Sequence, residues 1–420
     1  TSPLGSIANG DTIMDEGIFS YYSQSFLASY YNQPGLAYLR KMNLSGDYTG
    51  YGIYAPEVNP LDIIYYMPGV TEKDAAQIPR MLIARGAESV TIHEDYTNPE
   101  AFVFAAQGGQ TTHYHSHNDS GAFAFDMMGV RWATDLGKED YNLGVSDSAI
   151  YRKRTEGHNT LTINNGKDFS QARDTFAALI ASGESETGGY AVYDMSDLYS
   201  DADSVLRGFY IGDDYTSLTV RDELELSRES EVYWFMHTRA DIEILDEKTA
   251  LLSRNGKSLV LQLETDAPEF ALSAMDAVGL PSSPVVEGQE TNAGIRKVAV
   301  RLKGNGKMNL TVRMSPQSVE SLEDGPIAQW KVPEGTHQPE KEDYGYQLYV
   351  DGVKMQDPSV IPVLDEQDLP AYTIVPNDPE KSVVVEREDR IVGGKLAVTV
   401  YNQDRTKSQM SRIIYSSTSG

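Results

Sequence analysis

Short runs in which apolar and polar residues alternate fill most of this chain beyond Pro79. Glycine, asparagine and aspartate separate the runs, and these residues favour turns. The runs include MLIARG, SVTIHED, AFVFAAQ, GAFAFDMM, VRWATDL and NTLTIN, followed later by SLTVRDELEL, EVYWFMHT and MNLTVRM. A period of two residues is typical of strands with one buried face. The pattern therefore predicts a mainly β fold, a large antiparallel β-sandwich without βαβ units.

The residues before Pro79 follow a helical period. Apolar residues from Ile13 to Tyr31 recur at steps of three and four, which predicts an amphipathic helix. Shorter helices are predicted over 35–42, 60–66 and 72–77. These helices are too few to close a bundle by themselves, and the first residues lack the charged and apolar regions of a signal peptide. We therefore expect the end of a larger helical domain that begins upstream.

An acidic stretch that contains proline and glycine, residues 318–345, resembles a linker or long loop. The runs YQLYV, YTIV, SVVVE and KLAVTVY follow it and predict a small terminal sheet domain. The sequence thus predicts a helical segment over 1–78, a sandwich over 79–320, and a linker with a small β domain over 321–420.

The composition excludes several classes of function. The 420 residues carry a net charge of −27, which disfavours binding to nucleic acid and to anionic membranes. No apolar run approaches the roughly 20 residues needed to span a bilayer. Cysteine is absent, so disulfides, thiolate metal sites and cysteine nucleophiles are excluded. Metal binding or acid–base chemistry must therefore use His, Asp, Glu and Tyr.

Histidines are concentrated in one part of the chain. Of the seven in the sequence, four lie within a window of about fifty residues: His113, His115, His117 and His158. Three of them alternate in THYHSHNDSG, so an extended backbone would place them on one face. Two imidazoles at positions i and i+2 are well placed to hold one ion or ligand. The alternative is that they are hydrogen-bonded core residues.

A divalent metal at this position needs further nitrogen or oxygen donors. The nearby candidates are Asp119, Asp126, Asp135 and His158. We favour Asp135 and His158, because Asp135 ends the run VRWATDLG and His158 begins HNTLTIN. Adjacent strands could bring these two ends beside His117.

Three separated motifs resemble the C-terminal half of heparinase II/III-like polysaccharide lyases. They are HSHNDSGAF at 115–123, RWATDLG at 131–137 and YRKRTEGHNTLTIN at 151–164, in the order found in that family. The resemblance covers roughly residues 10–320. The stretch VYWFMHT at 232–238 also resembles a family strand, in which His237 is expected to be structural.

The resemblance implies roles for individual residues. The first histidine of H-x-H-x-D, His115, corresponds to an active-site histidine that neutralises the substrate or abstracts a proton. Tyr151 is implied in substrate binding or proton transfer, and Arg152 or Arg154 in pairing with a substrate carboxylate.

The resemblance also implies a metal site. His117, Asp135 and His158 match the protein ligands of a divalent metal that is usually zinc in the family, often in a structural role. We expect the metal to fix the strands that present His115.

The implied reaction is β-elimination at a 4-linked uronic acid. The C5 proton is removed, and neutralising the adjacent carboxylate stabilises the enolate-like intermediate. Candidate substrates are glycosaminoglycans such as heparan sulfate or chondroitin, and alginate.

Family members carry an α/α toroid before the sheet domain. The expected partners are therefore an acidic polysaccharide, an upstream toroid segment or chain, and a second copy of this chain. A periplasmic or secreted bacterial location is expected.

Two other classes of protein remain as alternatives. A cupin-like metal β-sandwich also uses H-x-H on a strand, but the glutamate expected a few residues later is missing from NDSGAF. A non-catalytic carbohydrate-binding or scaffold fragment would account for the sparse helices and the 26 tyrosines.

Overall fold

The computed structural model describes residues 23–45, 60–111, 116–140, 142–166, 170–319, 322, 325–331, 345–356, 360–363, 370–387, 395–401 and 408–417. Contacts divide the chain into two compact units, residues 1–337 and 338–420. The division into three parts stays a prediction.

Helices occupy the first described part of the chain. They are α1 (Gln24–Tyr30), α2 (Pro34–Ser45), α3 (Pro60–Ile64) and α4 (Glu72–Ala75). The first half of the helix expected from Ile13 lies outside the described residues. Arg40 of α2 forms a buried ion pair with Asp62 of α3, whose carboxylate also accepts a hydrogen bond from Ser25 of α1. One buried carboxylate therefore joins three helices. No helix among the described residues has the length and apolar character needed to cross a membrane.

The first unit contains sixteen described strands. In chain order they are β1 (Met81–Ala84), β2 (Ser89–His93), β3 (Val103–Ala106), β4 (Gly109–Gln110), β5 (Phe123–Met127), β6 (Val130–Ala133), β7 (Leu161–Ile163), β8 (Phe176–Ser185), β9 (Gly188–Asp194), β10 (Ala202–Gly212), β11 (Ser217–Thr238), β12 (Asp241–Ile244), β13 (Thr249–Arg254), β14 (Lys257–Thr265), β15 (Glu269–Asp276) and β16 (Arg296–Ser315).

These strands form two sheets. Five strands pair in the order β1-β2-β3-β5-β6, and eleven form a second sheet ordered β12-β13-β14-β16-β11-β10-β9-β8-β4, with β15 on β16 and β7 on β11. The described pairs of this unit are antiparallel. Apolar side chains of both sheets share one core, which includes Phe104, Phe125, Trp132, Phe209 and Trp234. The mainly antiparallel sandwich with few helices is therefore confirmed.

The central pair of the large sheet is longer than the sequence runs indicate. SLTVRDELEL and EVYWFMHT belong to one strand, β11, of 22 residues. The exposed polar residues between them do not make a turn, because pairing with β16 resumes after a register shift between Leu226 and Ser230. A bulge at this position absorbs the interruption while the ladder continues.

The core of the sandwich contains a buried ion pair. Arg207 of β10 faces Asp222 of β11 across the ladder, with nitrogen–oxygen distances of 2.7 and 2.9 Å. Its remaining Nη1 donates to the carbonyl oxygens of Gly121 at 2.9 Å and Asn159 at 3.3 Å. The arginine therefore ties the large sheet to two loops outside it.

The second unit is a small sheet structure. Its strands are β17 (Tyr346–Val350), β18 (Val353–Lys354), β19 (Val360–Val363), β20 (Tyr372–Pro376), β21 (Ser382–Arg387), β22 (Lys395–Tyr401) and β23 (Ser408–Ser417). They form a three-stranded sheet, β18-β17-β20, and a four-stranded sheet, β19-β23-β22-β21, in which β19 and β23 are parallel. Its core includes Leu348, Ile361, Leu396, Val398 and Ile413.

Removing one partner of the buried pair should destabilise the first unit. We expect Arg207→Ala to lower its free energy of unfolding by about 3–5 kcal/mol, because Asp222 is left as an uncompensated buried charge. The measurement is urea unfolding followed by tryptophan fluorescence, since all three tryptophans lie in this unit. The control is Arg228→Ala, which removes an exposed ion pair with Asp201. Equal effects of the two substitutions would contradict the prediction.

Candidate metal centre and active site

The loop that carries His117 is fixed by hydrogen bonds to a distant segment. The carboxamide of Gln171 accepts from the Ser120 N–H at 3.1 Å and donates to the Ser120 carbonyl at 2.7 Å. Gln171 Nε2 also donates to the Tyr199 hydroxyl at 3.0 Å. Asn118 donates its backbone N–H to the Lys153 carbonyl at 3.1 Å. Residues 116–121 are therefore anchored although they belong to no strand.

Two of the clustered histidines lie outside the described residues. Residues 112–115 include both His113 and His115. The predicted shared face of three histidines and the role of His115 therefore stay predictions. His117, the last of the three, is buried in the anchored loop.

Three buried side chains come together as a potential metal site. His117, Asp119 and His158 each offer a ligand atom, and these atoms all lie within 4.8 Å of one another. The rings of His117 and His158 have centroids 5.2 Å apart. His158 follows a short 3₁₀ turn, Thr155–Gly157, and precedes β7. The structure therefore brings together the two histidines that the sequence predicted as ligands.

Asp135 contacts the outer side of His158. Its Oδ2 lies 2.7 Å from His158 Nδ1, and its Oδ1 accepts the Gly137 N–H at 2.9 Å. A carboxylate only accepts, so Nδ1 carries the proton, and Nε2 is the nitrogen that can bind a metal when the ring is neutral. Burial lowers the pKa of His158, but Asp135 raises it overall. Burial alone would raise the pKa of Asp135, but His158 lowers it overall. Whether Asp135 also binds the metal stays a prediction.

The donor atoms have the properties that a cation requires. Asp119 Oδ2 and His158 Nε2 are buried and form no hydrogen bond within the described residues. Burial raises the pKa of the Asp119 carboxyl, and the two neighbouring histidines offset this only in part. A cation would compensate the charge of this carboxylate and would satisfy both atoms. The third acidic candidate, Asp126, instead pairs with Arg131 at 2.7 Å.

Tyr151 takes part in a buried chain of hydrogen bonds. Lys297 Nζ donates to its hydroxyl at 3.0 Å, and that hydroxyl lies 2.8 Å from His237 Nε2. His237 Nδ1 lies 3.0 Å from Asn159 Oδ1, so Nδ1 is the donor and Nε2 accepts from the tyrosine. Burial raises the pKa of Tyr151 and lowers that of Lys297 to about 7. This series of hydrogen bonds ends at Asn159, the residue next to His158. The catalytic role of Tyr151 stays a prediction.

The two arginines implied in carboxylate binding have different surroundings. Arg154 is buried against Glu156, with Nε–Oε1 2.7 Å. Arg152 donates Nε to Asn292 Oδ1 at 2.9 Å and Nη1 to the Lys138 carbonyl at 2.6 Å, and it has no ion pair among the described residues. Arg152 therefore has the charge that is more available to a ligand.

The sequence patterns did not predict that the loop between β15 and β16, residues 277–295, contributes to the site. Its backbone and side chains contact the segment that carries Tyr151 and Arg152, over sequence separations above 120 residues. Its polar stretch GQETN was the available signal, but such a stretch equally suits a solvated loop.

Loss of the Gln171 anchor should affect the metal site as well as stability. We expect Gln171→Ala to lower the free energy of unfolding by about 1–3 kcal/mol and also to reduce bound metal, because residues 116–121 lose their anchor. Gln262→Ala is the matched control, since the Gln262 carboxamide makes the same two bonds to the Val319 backbone far along the chain. Urea unfolding measures the stability, and elemental analysis measures the bound metal. Equal metal content in both variants would contradict the prediction.

Solved structures with a similar fold include heparinases. A heparinase III gene product has a TM-score of 0.51 and 12% identity, with 99% of this chain and 50% of that chain covered. A second heparinase III crystal structure gives 0.51 and 12%, with 99% and 52% covered. The heparan sulfate lyase of Pedobacter heparinus gives 0.50 and 11%, with 98% and 50% covered. Identities this low show the shared fold alone, and this chain spans about half the length of those proteins.

Sequence comparison assigns the family. No curated protein sequence matches the chain. Residues 98–338 match the family model described as heparinase II/III-like, C-terminal. This match covers more than half of the chain and includes the metal group and both arginines. The chain therefore belongs to the heparinase II/III-like family.

Proposed function

We propose that this chain carries the sheet half of a polysaccharide lyase, which cleaves a uronic-acid-containing polysaccharide by β-elimination. The observation that carries the proposal is the buried group of His117, Asp119 and His158, which brings together residues of the first and the third family motif. Family membership supports the same class of enzyme. The candidate polymers are glycosaminoglycans such as heparan sulfate or chondroitin, and alginate.

The proposed chemistry depends on charge at the substrate carboxylate. Removing the C5 proton of a uronate spreads negative charge onto that carboxylate, so a cation held beside it stabilises the transition state. Arg152 would provide that cation. His115 would neutralise the carboxylate or accept the C5 proton. To accept that proton, it must come within hydrogen-bond reach of it in the complex.

We infer that an upstream helical segment completes the cleft. The similar heparinase structures are about twice as long as this chain. Apolar side chains on the described helices are exposed, with Tyr30 at 49%, Ile63 at 73% and Ile64 at 67%. Such surfaces fit packing against further helices of the same or another chain. We also propose that the protein is periplasmic or secreted and that two copies of the chain pair.

We also propose a divalent metal, zinc, in the buried group. His117, Asp119 and His158 would hold it, and Asp135 would fix the tautomer of His158 or supply a further oxygen. Zinc prefers such a set of imidazole and carboxylate donors when cysteine is absent. When bound, the metal would supply a fixed positive charge that crosslinks the loop at 116–121 to the end of the 3₁₀ turn.

Metal content tests the composition of this site. We expect about one zinc per chain in the purified protein and a loss of metal in His117→Ala. Asp119→Asn and Asp135→Asn separate the two carboxylates, since the true ligand should lose more metal than the residue that only orients His158. Asp147→Asn, which removes an exposed partner of Lys153, serves as the control. Unchanged metal in His117→Ala would show that the site is misplaced.

Activity tests the reaction. In the natural full-length protein, we expect His115→Ala to reduce formation of the unsaturated product by roughly 100-fold or more, the range for a lost acid–base group. Ultraviolet absorbance of that product on uronate polymers provides the measurement. His113→Ala, two residues earlier and outside the motif, is the control. Undiminished activity in His115→Ala would remove this residue from the mechanism, and polymer binding without any product would favour a carbohydrate-binding protein.

A further inference from the structure

The loop at 277–295 is bonded to the segment that carries the predicted site. Gln289 Oε1 accepts the Tyr151 N–H at 2.6 Å, and the Glu290 N–H donates to Glu139 Oε1 at 3.1 Å. Glu156 accepts the Leu280 N–H at 2.7 Å. The loop is therefore held against this segment at several points, and its side chains have defined positions.

Asn292 is the residue of this loop that contacts Arg152. Its Oδ1 accepts from Arg152 Nε at 2.9 Å, and its Nδ2 donates to the Ala277 carbonyl at 2.8 Å. The residue is 7% exposed and has a φ of 52°, in the left-handed region that asparagine, aspartate and glycine tolerate best. Both ends of the carboxamide are thus fixed.

One nitrogen of the Arg152 guanidinium, Nη2, forms no hydrogen bond with the described residues. The Lys138 carbonyl accepts from Nη1 at 2.6 Å. No described residue bonds to Nη2, and the arginine as a whole is 7% exposed. The carboxylates of Glu139, Glu290 and Asp135 lie near enough to influence the guanidinium but make no ion pair with it.

Other buried arginines of the same unit are paired with a carboxylate. Arg154 pairs with Glu156, and Arg207 pairs with Asp222. Arg152 instead has two neutral acceptors, an amide oxygen and a backbone carbonyl. A neutral acceptor orients a guanidinium without compensating its charge, whereas a carboxylate would do both.

We propose that Asn292 is a positioning residue, which aims Nη2 of Arg152 at a substrate carboxylate and keeps the arginine charge available to it. The inference rests on the proposed function, because the carboxylate is that of the uronate. Asn292 itself does not touch the substrate. An acidic residue in its place would compete with the substrate for the guanidinium.

The test compares Asn292→Asp with Asn292→Gly in the natural full-length protein on uronate polymers. We expect kcat/KM to fall by about tenfold or more in Asn292→Asp, since the introduced carboxylate occupies the arginine. Asn292→Gly keeps the backbone conformation and removes both hydrogen bonds, so its fall in kcat/KM should be smaller. A structural role alone predicts the opposite order, because aspartate keeps the shape and the acceptor.

A double-mutant cycle isolates the contribution of Arg152. Aspartate also faces the Ala277 carbonyl, which could disturb the loop, but such an effect would persist when Arg152 is absent. We expect Asn292→Asp to cause no further loss in an Arg152→Ala background. An additive loss, or full activity of Asn292→Asp beside an impaired Arg152→Ala, would overturn the inference while leaving the lyase intact. Full activity of Arg152→Ala would overturn both this inference and the proposed role of Arg152.

Discussion

The pairing of Arg207 with Asp222 connects the sandwich to the site. A guanidinium buried between two sheets needs an acceptor for every direction in which it donates. Nε and Nη2 donate to the carboxylate of the neighbouring strand, and Nη1 donates to the carbonyls of Gly121 and Asn159. Gly121 ends the loop of His117 and Asp119, and Asn159 follows His158. The same buried charge therefore fixes both halves of the metal group relative to the large sheet.

The sequence was informative wherever a local period decides the structure. Alternation of apolar residues predicted the antiparallel sandwich, because a strand with one buried face must repeat every two residues. Proximity of His117 and His158 followed from the family motifs. The sequence favoured Asp135 as the carboxylate ligand, whereas the donor atoms that lie together belong to His117, Asp119 and His158, and Asp135 bonds to His158. Asp135 contacts Nδ1 of His158 and Asp119 lies beside both histidines, and this division is set by tertiary packing.

Contacts between distant residues were beyond the sequence patterns. Lys297 lies in the run KVAVRLKG, where a charged residue would ordinarily face solvent. It is buried because the Val278 carbonyl and the Tyr151 hydroxyl accept its protons and the Phe235 ring lies 4.2 Å from its nitrogen. Each of these partners comes from a different segment. No local pattern specifies such a set, and the polar stretch in the loop that provides Val278 equally suits a solvated loop.

The net charge of −27 opposes an acidic polymer at long range, so the proposed substrate depends on the cations close to the site. Exposed charges more than about 8 Å apart are largely screened at physiological ionic strength, so the cations nearest the ligand determine the local attraction. The buried cations Arg154 and Arg207 are already compensated within the fold. Arg152 differs because its hydrogen bonds go to neutral oxygens, while the nearby carboxylates of Glu139, Glu290 and Asp135 make no ion pair with it. In the proposed function, a single oriented guanidinium selects one carboxylate of a polymer on a strongly acidic protein.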